Sequence, residues 1–195
     1  FQKYYSDSDS VQLWERLMLS RARVVHGDSS FANDVLAVVT NAVCMVPWQS
    51  TFIDEVKTMR DRLEASRNPG DLKRGSGGMA DVEFLIELLQ IRFGASHPSI
   101  RQPNVWSALE AMKSCGLVSP TEQFELTSAY DFLLRVQSRL RIVQNLAIDT
   151  IPDKTDEVTK LARRLGFDLI AFQETLSRHQ KIIRQHYLQI LEGCR

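Results

Sequence analysis

The sequence predicts an all-α fold, a bundle of about eight helices with one long central helix and no sheet. Three observations predict it. Apolar residues recur at spacings of three and four along most of the chain, which is the period of a helix that buries one face. Capping and breaking residues separate these segments. We find no convincing run of alternating apolar and polar residues, so no strand is predicted.

The helices follow one another with short connections. In the first half of the chain we expect helices over Val11 to Val25, Phe31 to about Met45, Thr51 to before Asn68, and Met79 to Phe93. In the second half we expect them over Asn104 to Met112, Pro120 to about Asn145, Thr155 or Asp156 to Gly166, and Asp168 to about Glu192. We expect Ser29 or Ser30 to cap the second helix.

The predicted helix from Pro120 has the clearest start signal. Ser119 can cap it, Pro120 suits its first position, and Glu122 can return a hydrogen bond to the cap. Few breakers follow before Asn145. This helix is therefore the predicted spine of the bundle.

Composition restricts the possible functions. The 24 basic and 24 acidic residues balance, so no global field attracts nucleic acid or an anionic membrane. Three widely spaced cysteines argue against a disulfide framework and for the cytoplasm. No apolar run approaches the ~20 residues of a membrane span, and no signal peptide is visible. The chain begins at Phe1, so we expect it to be part of a longer protein.

A glycine-rich loop, residues 71–78, precedes the predicted helix from Met79. Its glycines fit a dinucleotide fingerprint, but no buried strand precedes them and no Lys-Ser or Lys-Thr pair closes them. Rossmann and P-loop sites are therefore rejected. Two interpretations remain. The backbone amides and the cations Lys73 and Arg74 attract an anion, or the segment is a flexible turn whose acids favour the helix dipole, as composition alone favours.

Other candidates are weaker. Asp7-Ser8-Asp9 resembles a metal-binding acid pair, but no strand holds it rigid, so we interpret it as a capping loop. His179 and His186 lie seven residues apart on one helix face, which favours a partly buried seam. The remaining candidate is a basic cluster, for which a solvated or acid-paired face is favoured over an anion site: Arg135, Arg139, Arg141, Arg163 and Arg164.

Residues 71–85, Asp-Leu-Lys-Arg-Gly-Ser-Gly-Gly-Met-Ala-Asp-Val-Glu-Phe-Leu, closely resemble a segment of glutamine synthetase adenylyltransferases. These bifunctional enzymes add AMP to glutamine synthetase and remove it. Further matches follow in the family's order, among them Ser20 to Asp28, Met59 to Glu64 and Ala129 to Leu133. The resemblance covers most of the chain.

The resemblance implies that residues 1–195 form a single helical domain without catalytic residues. Residues 1–28 would connect to an upstream nucleotidyltransferase domain, and 29–195 would form the bundle. ATP and Mg would serve the intact enzyme, with no cofactor or metal in this region. Glutamine synthetase and the PII signalling protein would be partners. The residues expected to contact the nucleotide or the catalytic domain are Arg21, Arg23, Lys73, Arg74, Gly75, Gly77, Gly78, Asp81 and Glu83.

Two alternatives remain at this point. The chain is a helical module that binds a regulator such as the PII protein without touching nucleotide, or it is the related helical segment of a PII uridylyltransferase.

Overall fold

The computed structural model describes residues 2–6, 11–144 and 146–194, in which the regular elements are helices and no strand is present. Asp71 and Thr150 form an isolated β-bridge. The all-α prediction is confirmed. The helices are α1 Gln2–Ser6, α2 Leu13–Leu19, α3 Ser29–Cys44, α4 Thr51–Ala65, α5 Met79–Phe93, α6 Val105–Ser114, α7 Pro120–Gln144, α8 Thr155–Arg164 and α9 Leu169–Gly193, with a 3-10 turn at Pro98–Ile100.

Several helix starts follow the sequence signals. The Glu122 carboxylate accepts from the Ser119 amide at 2.6 Å, and the Glu122 amide donates to Ser119 Oγ at 3.2 Å. Asn104 Oδ1 accepts from the Ser107 amide at 2.8 Å at the start of α6. The cap expected at Ser29 or Ser30 is wrong, because Asp28 Oδ1 accepts from the amides of Ser30 and Phe31. Helix α3 therefore begins earlier than predicted.

One of the two helices α2 and α9 differs from its predicted length. Helix α2 covers Leu13–Leu19, whereas the apolar pattern predicted a helix through Val25. Val25 is 85% exposed, so nothing packs on it to stabilise further turns. Helix α9 agrees with its predicted span of Asp168 to about Glu192, and its 25 residues make it as long as the predicted spine α7.

The contacts divide the chain into two compact units. The first unit is residues 1–58, 83–123 and 194–195, and the second unit is residues 59–82 and 124–193. Their boundaries fall within α4, α5 and α7. The prediction of a connecting segment over 1–28 and a bundle over 29–195 stays a prediction.

The core of the first unit contains Leu17 from α2, Ile53 from α4, Leu88 from α5 and Leu109 from α6, all fully buried. Polar contacts join its segments. The buried Arg16 donates to the Ala42 carbonyl at 2.5 Å, which fastens α2 to α3. The Gln90 amide group donates to the Ile100 and Gln102 carbonyls, both at 2.8 Å, so α5 holds the segment before α6.

The second unit is built around aromatic contacts between α7, α9 and the turn before α9. The Phe132 ring lies 6.0 Å from Phe167 and 4.7 Å from the His179 ring. His186 is buried and lies 2.5 Å from the Glu125 carboxylate. The partly buried seam predicted from the two histidines is therefore present.

The connection between α7 and α8 is hydrogen-bonded to the start of the glycine-rich loop. The Leu72 amide donates to the Asp149 carbonyl at 2.8 Å, and the Ile151 amide donates to the Gly70 carbonyl at 3.0 Å. Arg141 in turn contacts the Asp149 carboxylate at 2.5 Å. The loop is thereby anchored at its first residues.

In the described part of the chain, no helix is long and apolar enough to cross a membrane. The Asp7-Ser8-Asp9 segment, predicted to be a capping loop, lies outside the described residues.

Candidate functional site

The first half of the glycine-rich loop is organised by Asp71. Its Oδ1 accepts hydrogen bonds from the amides of Lys73 and Arg74, both at 2.8 Å. The Gly75 amide donates to the Asp71 carbonyl at 3.0 Å. A short acidic side chain can bond the backbone ahead of it in this way and mimic a turn. The positions of Lys73 and Arg74 are therefore set by local hydrogen bonds.

The second half of the loop uses its own amides to begin α5. The Met79 amide donates to the Leu72 carbonyl at 3.1 Å, and the Ala80 amide donates to the Lys73 carbonyl at 3.0 Å. The Gly77 amide donates to Asp81 Oδ2 at 2.9 Å. These are the amides expected to attract an anion. They are instead occupied by acceptors of the chain itself, with a carboxylate where an anion was expected.

The three glycines of the loop have no room for a side chain, and at Gly75 a Cβ would lie 2.5 Å from the Asp71 carbonyl oxygen. Gly77 has a φ of +67°, and a Cβ there would collide with the Gln180 carbonyl oxygen. At Gly78 a Cβ would lie 2.6 Å from the Lys73 carbonyl oxygen and 2.8 Å from that of Gly75. The glycines therefore permit close backbone packing. The loop is a packed structure, and not the flexible turn that its composition favours.

Arg60 of α4 holds this loop from inside the second unit. Its side chain is fully buried, and its Nε donates to Asp81 Oδ1 in a very short contact. Its Nη2 donates to the Gly75 carbonyl at 2.5 Å. One guanidinium thus bonds both the loop and the first turn of the following helix, as its fork of donors allows.

Two further charges complete the network. Arg184 of α9 lies 3.4 Å from Asp81 Oδ2 and 3.8 Å from Glu64 Oε2. Glu64 also lies 3.5 Å from Arg60 Nη1. Two guanidinium groups therefore face two carboxylates. Buried charges persist when they are paired in this way, because an unpaired charge in the interior is costly. We call Arg60, Glu64, Asp81 and Arg184 the buried network.

Burial shifts the ionisation of the groups in and beside this network. It raises the pKa of Asp81, while Arg60, Arg184 and the Gly77 amide act in the opposite direction. Burial also raises the pKa of Tyr187, and the Asp81 carboxylate adds to that effect. The Tyr187 hydroxyl is buried without a hydrogen-bond partner among the described residues. Burial therefore disfavours the charged forms of both groups beside the loop.

The predicted site residues fall in both units. In the second unit Arg74 is exposed and Lys73 is partly buried, whereas Gly75, Gly77, Gly78 and Asp81 are buried. Asp81 is fully enclosed, so its carboxylate acts within the protein.

In the first unit Arg23 is exposed, and Arg21 lies 3.1 Å from Glu83 and 3.8 Å from Glu87. The structure thus brings Arg21 and Glu83 together as an ion pair. Whether any of these residues contacts a nucleotide or another domain stays a prediction.

Sequence reasoning assigned no role to Arg60, Glu64 or Arg184. One signal for Arg60 was present, because it follows the apolar Phe52 and Val56 at intervals of four residues. A charge on the inward stripe of a helix needs a buried partner. Among the described residues, no group of three or more His, Cys, Asp or Glu side chains could hold a metal ion.

Comparison with known proteins shows to which family the chain belongs. The family model described as GlnD PII-uridylyltransferase matches residues 52–191, which is more than two-thirds of the 195 residues. The chain belongs to this family. The matched region begins with α4 and ends within α9, so it includes the glycine-rich loop and all four residues of the buried network.

The curated relatives are bifunctional glutamine synthetase adenylyltransferase/adenylyl-removing enzymes. The relative from Bradyrhizobium diazoefficiens is 29% identical over 188 residues, which is 92% of this chain and 19% of that protein. The relative from Streptomyces avermitilis is 27% identical over 182 residues, 90% of this chain and 18% of its own length. The relative from Xanthomonas campestris pv. campestris strain B100 is 29% identical over 183 residues, which cover 91% of this chain and 20% of that protein.

These matches confirm the resemblance to glutamine synthetase adenylyltransferases that the glycine-rich loop indicates. The chain spans about a fifth of the length of these relatives. The family model carries the name of the PII uridylyltransferases. A segment of such an enzyme is one of the two alternatives that the sequence left open.

Proposed function

We propose that the chain is a non-catalytic helical domain of an enzyme that adds AMP to a tyrosine of glutamine synthetase and removes it. The family and the names of the relatives support the enzyme class. The observation that supports a bracing role is the buried network, because it fixes the loop through hydrogen bonds within the chain. A preorganised loop loses little conformational entropy when its exposed side chains bind a partner.

The contact that we propose is made by side chains and not by the loop amides. Lys73 and Arg74 project from backbone positions that Asp71 defines, and Arg74 is exposed. Arg21 and Arg23 supply further cations in the first unit. We propose that these cations face the nucleotidyltransferase domain or its nucleotide, where they would favour negative phosphate charge.

The remaining predicted site residues act indirectly in this proposal. Gly75, Gly77, Gly78 and Asp81 hold the shape of the loop, and Glu83 orients Arg21 through their ion pair. For the intact enzyme we propose ATP and Mg as cofactors, held by the nucleotidyltransferase domain, and a cytoplasmic location. We propose the PII signalling protein as its regulator.

Replacement of Lys73 tests this contact. In the full-length enzyme, Lys73→Ala should lower the rate of adenylylation or deadenylylation of glutamine synthetase about three- to tenfold, since one partly buried charge contact is worth ~1 kcal/mol. The rates are measured with purified glutamine synthetase. Lys181→Ala removes an exposed lysine from α9 and serves as the matched control. Wild-type rates for Lys73→Ala in a normally folded enzyme would refute the contact.

A second candidate is a helical interaction module. The observation that favours it is an exposed apolar face in the first unit, where Trp14 and Met18 lie one turn apart on α2 and are 55% and 51% exposed. Phe31 at the start of α3 is 68% exposed. Aromatic and methionine side chains of this kind are enriched in protein interfaces.

A further inference from the structure

A depression in the second unit lies between the C-terminal half of α7 and helix α8. Its volume is about 280 Å³. Arg139, Leu140 and Val143 line it from α7, and Lys160, Leu161 and Arg164 line it from α8. Leu140 and Leu161 are buried and form its apolar floor. The cations Arg139, Lys160 and Arg164 are exposed.

Helix geometry explains how each side of the depression is built. Arg139 and Val143 are four residues apart on α7, as are Lys160 and Arg164 on α8, so each pair occupies one helix face. The dipole of α8 favours Arg164 in its last turn. It does not explain Arg139, which comes from another helix. The fold therefore assembles positive charge from two consecutive helices.

These cations differ from the neighbouring arginine that has an acidic partner. Arg141 contacts Asp149 at 2.5 Å, whereas the side chains of Arg139, Lys160 and Arg164 make no hydrogen bond or ion pair with another described residue. Glu157 is the single acid that lines the depression, and it lies 3.8 Å from Lys154 Nζ. The lining therefore carries three cations against one carboxylate.

We propose that this depression binds a small organic phosphate. The phosphoryl group would lie among Arg139, Lys160 and Arg164, because guanidinium groups bind phosphate oxygens through paired hydrogen bonds. The apolar part of the ligand would rest on Leu140 and Val143. The volume matches the lower end of small-molecule sites, about 300 Å³. This site is separate from the contact proposed for Lys73 and does not depend on it.

Titration calorimetry of the 195-residue chain with inorganic pyrophosphate and with ADP tests the proposal. Both probes should bind saturably, and ADP should bind more tightly because pyrophosphate has no apolar part. In the Arg139→Gln/Arg164→Gln double variant the Kd of both should rise about tenfold or more, since two charge-assisted hydrogen bonds are lost. Arginine side-chain NMR signals should shift on titration at Arg139 and Arg164.

The control is Arg178→Gln/Lys181→Gln, which removes two exposed cations from α9 in the same unit. Its Kd values should equal those of the wild type. Circular dichroism checks that both double variants keep the helical fold. The proposal is overturned if neither probe saturates, or if the two double variants lose affinity equally.

Val143→Asn tests the apolar part of the site. It should weaken ADP binding and leave pyrophosphate binding unchanged, because only ADP reaches Val143. An equal effect on both probes, or equal affinity of the wild type for them, would overturn the assignment of an organic phosphate.

Discussion

Arg60 and Asp81 are charged residues with fully buried side chains, and they form an ion pair with each other. Arg60 also bonds the Gly75 carbonyl, and Asp81 also accepts from the Gly77 amide. Both therefore bind backbone groups of the glycine-rich loop as well as each other. At the scale of single residues, this pair connects α4, the loop and α5.

Replacement of Asp81 should destabilise the protein, because it leaves the buried charge of Arg60 without its closest ion-pair partner. Asp81→Ala leaves the Arg60 guanidinium buried without its main acceptor, so the free energy of unfolding should fall by about 3–5 kcal/mol. Urea unfolding followed by circular dichroism measures the change. Asp153→Ala removes an exposed acid from the same unit and should have almost no effect. Equal stabilities of the two variants would contradict the pairing.

At the scale of elements, the caps decide where helices begin. The Asp28 carboxylate accepts from the amides of Ser30 and Phe31 and from the Ser30 hydroxyl, and these bonds lower its pKa below the ordinary value of 3.8. An exposed apolar helix such as the first half of α3 has little packing to hold it. Its start therefore depends on this cap.

The cap predicts a pH dependence. A lowered pKa in the folded state stabilises the protein at pH values above 3.8, and the stabilisation disappears as the pH falls through the folded-state pKa. Asp28→Ala should therefore lower the Tm at about pH 7 and lose this effect toward about pH 2. Thermal unfolding across this range measures it. Asp28→Asn keeps a good cap without a titrating group, so its deficit at neutral pH should be small. A deficit of Asp28→Ala that is the same at all pH values would contradict the role of the charge.

At the scale of the whole molecule, the chain is electrically neutral and spans about a fifth of its relatives. Neutrality leaves recognition to local features. These are the cations of the glycine-rich loop, the apolar face of α2 and the basic depression beside α8. Each lies within one of the two units.

The two candidate functions predict different behaviour of the chain alone. If it braces a catalytic domain, the isolated chain should show no saturable binding to the PII protein or to glutamine synthetase in titration calorimetry. In that case the surface that this chain contacts would be the nucleotidyltransferase domain of its own enzyme. Saturable binding of either protein, lost in Trp14→Ala, would instead support the interaction module. Trp106→Ala, at another exposed tryptophan of the first unit, is the matched control.

Much of the fold could be predicted because helix signals are local. The predicted bounds of α5, Met79 to Phe93, agree with the structure, and Ser119 with Glu122 marks the start of α7. The prediction through Val25 was wrong because apolar spacing alone does not show whether another segment covers the residue. A helix pattern has to be buried against something before it stabilises a helix.

The sequence alone determined that this protein is helical, where most of its helices lie, and that a family-specific glycine loop precedes α5. Only the tertiary structure decided what that loop is. Asp81 and Arg184 are 103 residues apart, and their pairing exists only once α5 and α9 are packed. Ion pairs and backbone clashes depend on distances in space, so the glycines and amides that resemble an anion site proved to be bonded to the chain itself, while the Arg74 side chain stays exposed.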